Sequence, residues 1–114
     1  MKLALTSLVL ALCLIMVGCG CDGESPSVVL VNHGTAKADI QIKTSGGNTE
    51  NVNNVMPETS SETRRFFAGV IEFTVNIQGV DAPVVYALTA DDCYEYVVTI
   101  NADNTVSSRG TAVD

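Results

Sequence analysis

From residue 28 onward, apolar and polar positions alternate with a period of two. Ala36, Ala38, Ile40 and Ile42 alternate with Lys37, Asp39, Gln41 and Lys43. Ile71, Phe73, Val75 and Ile77 alternate with Glu72, Thr74, Asn76 and Gln78, and Tyr94, Tyr96, Val98 and Ile100 with Cys93, Glu95, Val97 and Thr99. Successive side chains on a strand point to opposite faces, so each run predicts a strand with one buried and one wet face. Val28–Val31 and Val84–Leu88 are apolar on both faces and predict central or fully covered strands. Val52–Met56, Glu62–Phe67 and Asn104–Ser108 are weaker strand candidates.

Turn-forming residues fall between these runs, at Asn32-His33-Gly34, Ser45-Gly46-Gly47-Asn48, Gly79-Val80-Asp81-Ala82-Pro83, Ala90-Asp91-Asp92 and Asn101-Ala102-Asp103-Asn104. No stretch after residue 19 carries an apolar i, i+3, i+4 stripe of helical length. Seven or eight short strands at this spacing predict an all-β fold, a small antiparallel β-sandwich, with a small barrel as the other closure. The expected domain, residues 28–114, has enough chain for one modest core and not two.

The first residues follow a different pattern. Met1-Lys2 gives a short positive end, and Leu3–Val17 is an apolar run of 15 residues interrupted only by Thr6 and Ser7. A spanning helix needs about 20 apolar residues, so this run is short for a transmembrane segment and fits the helix of a cleaved export signal over residues 1–18. The last three residues of that signal and the one after it, Met16-Val17-Gly18-Cys19, resemble the lipobox of bacterial lipoproteins. Gly18 and Val17 fit that pattern, and Met16 stands where leucine is commonest. The resemblance implies a diacylglycerol on the Cys19 thiol, cleavage before it and acylation of the new amine. Two or three acyl chains anchor a protein stably, because each buried methylene contributes about 0.8 kcal/mol. Cys21, preceded by Cys19-Gly20, fits the pattern more loosely. In enterobacteria-like systems an aspartate after the lipid cysteine resembles an inner-membrane retention signal. Gly20 after Cys19 therefore points to the outer membrane, whereas Asp22 after Cys21 would point the other way. Residues 19–27 are small, polar and turn-prone, and predict a flexible tether between anchor and domain.

Charge narrows the partners. Without residues 1–18, five basic residues face thirteen acidic ones. Such a surface repels nucleic acid and lacks the counterion release that drives phosphate binding. A polybasic patch for anionic lipid headgroups is also missing.

A second resemblance concerns the domain itself. Ala68-Gly69 followed by Glu72-Phe73-Thr74-Val75 is similar to a turn-and-strand of immunoglobulin-like or transthyretin-like domains in bacterial surface proteins. Leu88-Thr89-Ala90 followed by Tyr94-Glu95-Tyr96-Val97-Val98 looks like their closing hairpin, although Asp91 stands where those domains usually carry glycine. The likeness covers about a third of the chain and implies a sandwich, a fold that hosts many functions.

Candidate chemistry is sparse. Cys13 leaves with the signal and Cys19 is taken by lipid, so Cys21 and Cys93 remain, either as a disulfide in an oxidising compartment or as two free thiols. Alternation puts Cys93 on the polar face of its strand beside Glu95. His33, the one histidine, sits in a turn with no cysteine or histidine cluster around it in sequence, and reads as a solvated turn residue. Asp91-Asp92 and Asn101-Ala102-Asp103-Asn104 offer oxygen ligands, but the spacing fails the EF-hand pattern, and side-chain-to-backbone turns account for them. The two acidic turns bind calcium only if the fold brings them to one end. Arg64-Arg65-Phe66-Phe67 offers Arg and Phe anchors for a partner-binding edge, but alternation predicts one residue of each pair inward and one outward, with the charge protecting a sheet edge. No catalytic residue, metal site or cofactor is expected. The pattern predicts a lipid-anchored, non-catalytic module of the cell envelope that binds a protein or glycan. Its alternatives are an envelope enzyme using a carboxylate pair among Asp91, Asp92, Glu95 and Asp103, and a calcium-stabilised adhesin-like domain.

Overall fold

The computed structural model describes residues 21–113. The expected signal helix at 1–18 and the anchor at Cys19 lie outside the described residues. Within them every regular element is a strand, nine in all: β1 Ser27–Asn32, β2 Ala38–Lys43, β3 Thr49–Val55, β4 Thr59–Ser60, β5 Arg64–Arg65, β6 Gly69–Ile77, β7 Val84–Ala90, β8 Tyr94–Ile100 and β9 Val106–Ala112. They form a β-sandwich. One sheet has the order β3-β2-β6-β7 and is antiparallel throughout. The other runs β1-β8-β9, with β4 and β5 both pairing the free edge of β1.

The alternating runs place the core where periodicity puts it. Ile71, Phe73, Val75 and Ile77 of β6, Ala38, Ile40 and Ile42 of β2, and Tyr96, Val98 and Ile100 of β8 are all buried. Val28 and Leu30 of β1 complete the facing layer. Each fully buried side chain of this size contributes about 1.5–3 kcal/mol through the apolar area it removes from water.

Five features depart from the sequence reading. First, β1 and β8 are parallel, with Ser27 opposite Glu95 and Asn32 opposite Ile100, so the sandwich is not wholly antiparallel. Second, β7 is an edge strand, and Val85 on its outer face is 59% exposed. An apolar run looks the same whether a second layer covers it or not. Third, the Glu62–Phe67 candidate shrinks to two residues, and a strand unmarked in the sequence, β4, precedes it. The gap between β4 and β5 is bridged by Ser61, whose amide donates to Leu30 O (2.8 Å) and whose hydroxyl accepts from Leu30 N (3.0 Å). Fourth, β7 and β8 belong to different sheets, so Asp91-Asp92-Cys93 crosses between layers instead of turning a hairpin. Fifth, the stretch expected as a loose tether is held against the domain from Cys21 onward. Glu24 O accepts from Cys93 N (2.9 Å), Pro26 O accepts from Phe66 N (3.1 Å), and β1 begins at Ser27, one residue before the expected boundary.

The exit of β1 is tied by one buried polar side chain. Asn32 is fully buried, and its Nδ2 donates to Ala36 O and to Val55 O, both at 2.9 Å. Its Oδ1 accepts from Gly34 N at 2.8 Å. These bonds close the β1–β2 turn and join the sheet of β1 to β3 of the facing sheet. A buried amide with no partner costs about 1–3 kcal/mol. Asn32→Ala strands one amide and two carbonyls, and a loss of about 3 kcal/mol in urea unfolding is expected, with an unchanged m-value. A loss below about 0.5 kcal/mol would contradict this role.

Candidate functional site

Because β1 and β8 run in parallel, the residues before each strand lie side by side. Cys21 and Cys93 meet there in a disulfide with a Cα–Cα distance of 5.8 Å, linking positions 72 apart in sequence. Cys93 is not on the polar face of β8. It sits in the turn before the strand with φ +66°, where its carbonyl accepts from Val113 N at 2.8 Å. One end of the sandwich thus gathers the first described residues, the β7–β8 crossing and the last strand. In the chain-entropy picture a link of this span restricts the unfolded chain by about 4 kcal/mol. Reduction, or Cys93→Ser, is expected to lower stability by that amount in urea unfolding; equal midpoints with and without reductant would count against it.

The same end carries the Arg-Arg-Phe-Phe segment. The four side chains alternate as β5 dictates: Arg64 half-buried, Arg65 exposed, Phe66 buried, Phe67 67% exposed. Arg64 Nη1 donates to Glu50 Oε1 on β3 at 2.9 Å, closing the seam between the two sheets. Both partners are partly solvated, so the pair is worth less than about 1 kcal/mol. Among the described residues, Arg64 Nε is a buried side-chain atom with no hydrogen-bond partner. Arg65 Nη1 donates to Ser25 O (2.8 Å) and Nη2 lies 3.6 Å from Glu24 Oε2, so the side chain clasps the incoming chain. Beneath the two phenylalanines is a cleft of about 160 Å³ lined by Ser25, Thr44, Asn48, Glu50 and Arg65. Ser45 Oγ donates to Ala68 O at 2.9 Å and fixes the loop that presents Phe67. Gly69 follows at φ +127°, where a Cβ would lie 2.8 Å from Ser45 Cβ; this close approach is why glycine stands there.

The remaining candidates do not converge. Asp91 and Asp92 flank the start of β8, and Asp103 lies beyond its end. A strand of seven residues, roughly 20 Å, separates them. The acidic turns therefore do not share an end, and Asp103 does not pair with Asp91, Asp92 or Glu95. Among the described residues no group of three His, Cys, Asp or Glu side chains could hold a metal ion. His33 is exposed at the far end with Nδ1 3.3 Å from Glu58 Oε2. Asp103 accepts from the Thr105 hydroxyl at 2.6 Å and from the Thr105 amide at 3.2 Å, and these bonds hold its carboxyl below the usual carboxylate range.

A carboxylate with a lowered folded pKa stabilises the fold above its unfolded pKa, and that contribution disappears as pH falls through the folded value. Thr105→Val removes the larger cause. The Asp103 carboxyl is expected to titrate upward, toward the ordinary value, in a carbon-detected NMR pH titration. An unmoved titration would refute the assignment to the Thr105 hydroxyl.

Two features of this end escaped the sequence pattern. Tyr96, expected simply as core, also reaches out through its hydroxyl, which accepts from Asp91 N at 2.8 Å and holds the crossing. Its ring lies over Gly110 on β9, where an added Cβ would come within 2.6 Å of it. A glycine in the middle of a strand is the signal for such a close approach.

No family model matches the chain, and no curated protein does. Among solved structures, it is similar to the C-terminal domain of AlgF from P. aeruginosa, with a TM-score of 0.51. The match covers 78% of this chain and 98% of that one at 13% identity. At that identity the likeness concerns the fold.

Proposed function

We propose that the protein is an exported lipoprotein whose sandwich serves as a non-catalytic binding or structural module of the cell envelope. The observation that carries this reading is the run Leu3–Val17 ending in Met16-Val17-Gly18-Cys19, which resembles a signal and lipobox. The disulfide two residues further on is in keeping with an oxidising compartment. No carboxylate pair joins the two acidic turns, because β8 separates Asp103 from Asp91 and Asp92, and on that ground we favour binding over catalysis. Gly20 after Cys19 favours the outer membrane, facing the periplasm or the cell surface. We assign the partner to the envelope, as a protein or a glycan, and not to nucleic acid, since the domain is strongly acidic. The finer likeness to immunoglobulin-like or transthyretin-like domains rests on Ala68-Gly69 and the strand after it, and it belongs to this proposal.

The test is the intact mass of the protein extracted from membranes. A chain starting at Cys19 and carrying acyl mass is expected, and Cys19→Ala is expected to move the protein to the soluble fraction. A chain that starts elsewhere without acyl mass would overturn the reading.

A further inference from the structure

We propose that the sandwich docks end-on to the bilayer that anchors it, with Phe67 inserted among the lipids as a second, non-covalent contact. This inference rests on the reading of Cys19 as the lipid-bearing residue and goes beyond it, because an anchor alone leaves the orientation of a domain open.

Chain length at the anchored end carries the argument. Cys19 lies two residues before Cys21, and two residues span at most about 7 Å of backbone. Cys21 is bonded to Cys93, and Arg65 clasps Ser25 and Glu24, so the spacer ends at the disulfide and not at β1. The acylated residue is therefore confined to the end of the sandwich that bears Cys93, Arg65 and Phe67. Ser25 and Arg65 line both the hollow at the disulfide and the cleft beneath Phe66 and Phe67, so the surface is continuous.

Phe67 is the most exposed large apolar side chain among the described residues, at 67%, with Val70, the second residue of β6, at 56%. A solvated phenylalanine held by a fixed loop costs free energy in water and gains it in an interface, where apolar side chains sit roughly 5–10 Å deep. Charge selects the kind of surface. Acidic groups, Asp22, Glu24, Asp91, Asp92 and Glu95 among them, outnumber Lys43, Arg64 and Arg65 at this end, which suits zwitterionic headgroups better than anionic ones.

The chain has no tryptophan, so a single introduced one reports its own surroundings. Phe67→Trp is compared with Val80→Trp, which lies in the β6–β7 turn at the opposite end of the nine-residue β6. Each full-length variant is purified with its native acylation, its mass checked, and reconstituted into phosphatidylcholine vesicles with brominated acyl chains. The expected result is a blue-shifted Phe67→Trp emission that loses several-fold more intensity to bromine than Val80→Trp does. Equal quenching of the two in an acylated chain would overturn the docking and leave the anchor standing. A chain without acyl mass would overturn both.

Discussion

The parallel pairing of the first strand with the eighth is the constraint on which the rest of the structure depends. β1 is the hinge of its sheet: β8 lies on one edge, β4 and β5 on the other. Parallel strands start at the same end, so the residues that lead into β1 and β8 are neighbours, and Cys21 can reach Cys93. The opposite end of β1 is closed by Asn32, whose amide bonds also reach β3 in the facing sheet. One strand thus fixes the two ends of the molecule and ties its layers together. The pairing is far apart in sequence, and its loop-closure entropy is met only once both sheets are in place.

The two ends that follow from this arrangement have different characters. The far end, with His33, Glu58 and the Asp103–Thr105 turn, is tied by bonds among polar side chains and backbone, and its exposed apolar groups, Met56 and Val80, are less exposed than Phe67. The near end combines a covalent link, an arginine clasp and one solvated phenylalanine. Function is proposed for the near end because the features there exceed what turn formation requires. Phe67 in particular leaves 67% of a large apolar residue in water.

Period-two patterning exposed the core strands because burial on one face selects residues directly. Ile71, Phe73, Val75 and Ile77 are inside for the same reason that they alternate. What the pattern lacked was neighbourhood. Val84–Leu88 reads as doubly covered, yet among the described residues β7 is the edge of its sheet, since hydrophobicity records the absence of charge and not the presence of a layer. The acidic turns at Asp91-Asp92 and Asn101–Asn104 seemed able to meet only while β8 between them was not weighed as a spacer. The short β4 and β5 carry too few residues to show any period, and the parallel register of β1 leaves no mark in local sequence at all. The alternation in Arg64-Arg65-Phe66-Phe67 was readable as one residue of each pair inward and one outward, but which phenylalanine faces water is fixed by the pairing of β5 with β1. That this residue shares an end with the cysteines depends on the topology.

The account stands or falls on β1 as the strand whose release unfolds the molecule. Native-state hydrogen exchange of its amides measures this directly. If β1 holds the two sheets together, the amides of Val29, Leu30 and Val31 exchange only with global unfolding, at the same free energy as those of Phe73 and Val75 in β6. Exchange of the β1 amides through a local opening well below that free energy, with β6 still protected, would show that the second sheet stands without the first strand and would contradict the account.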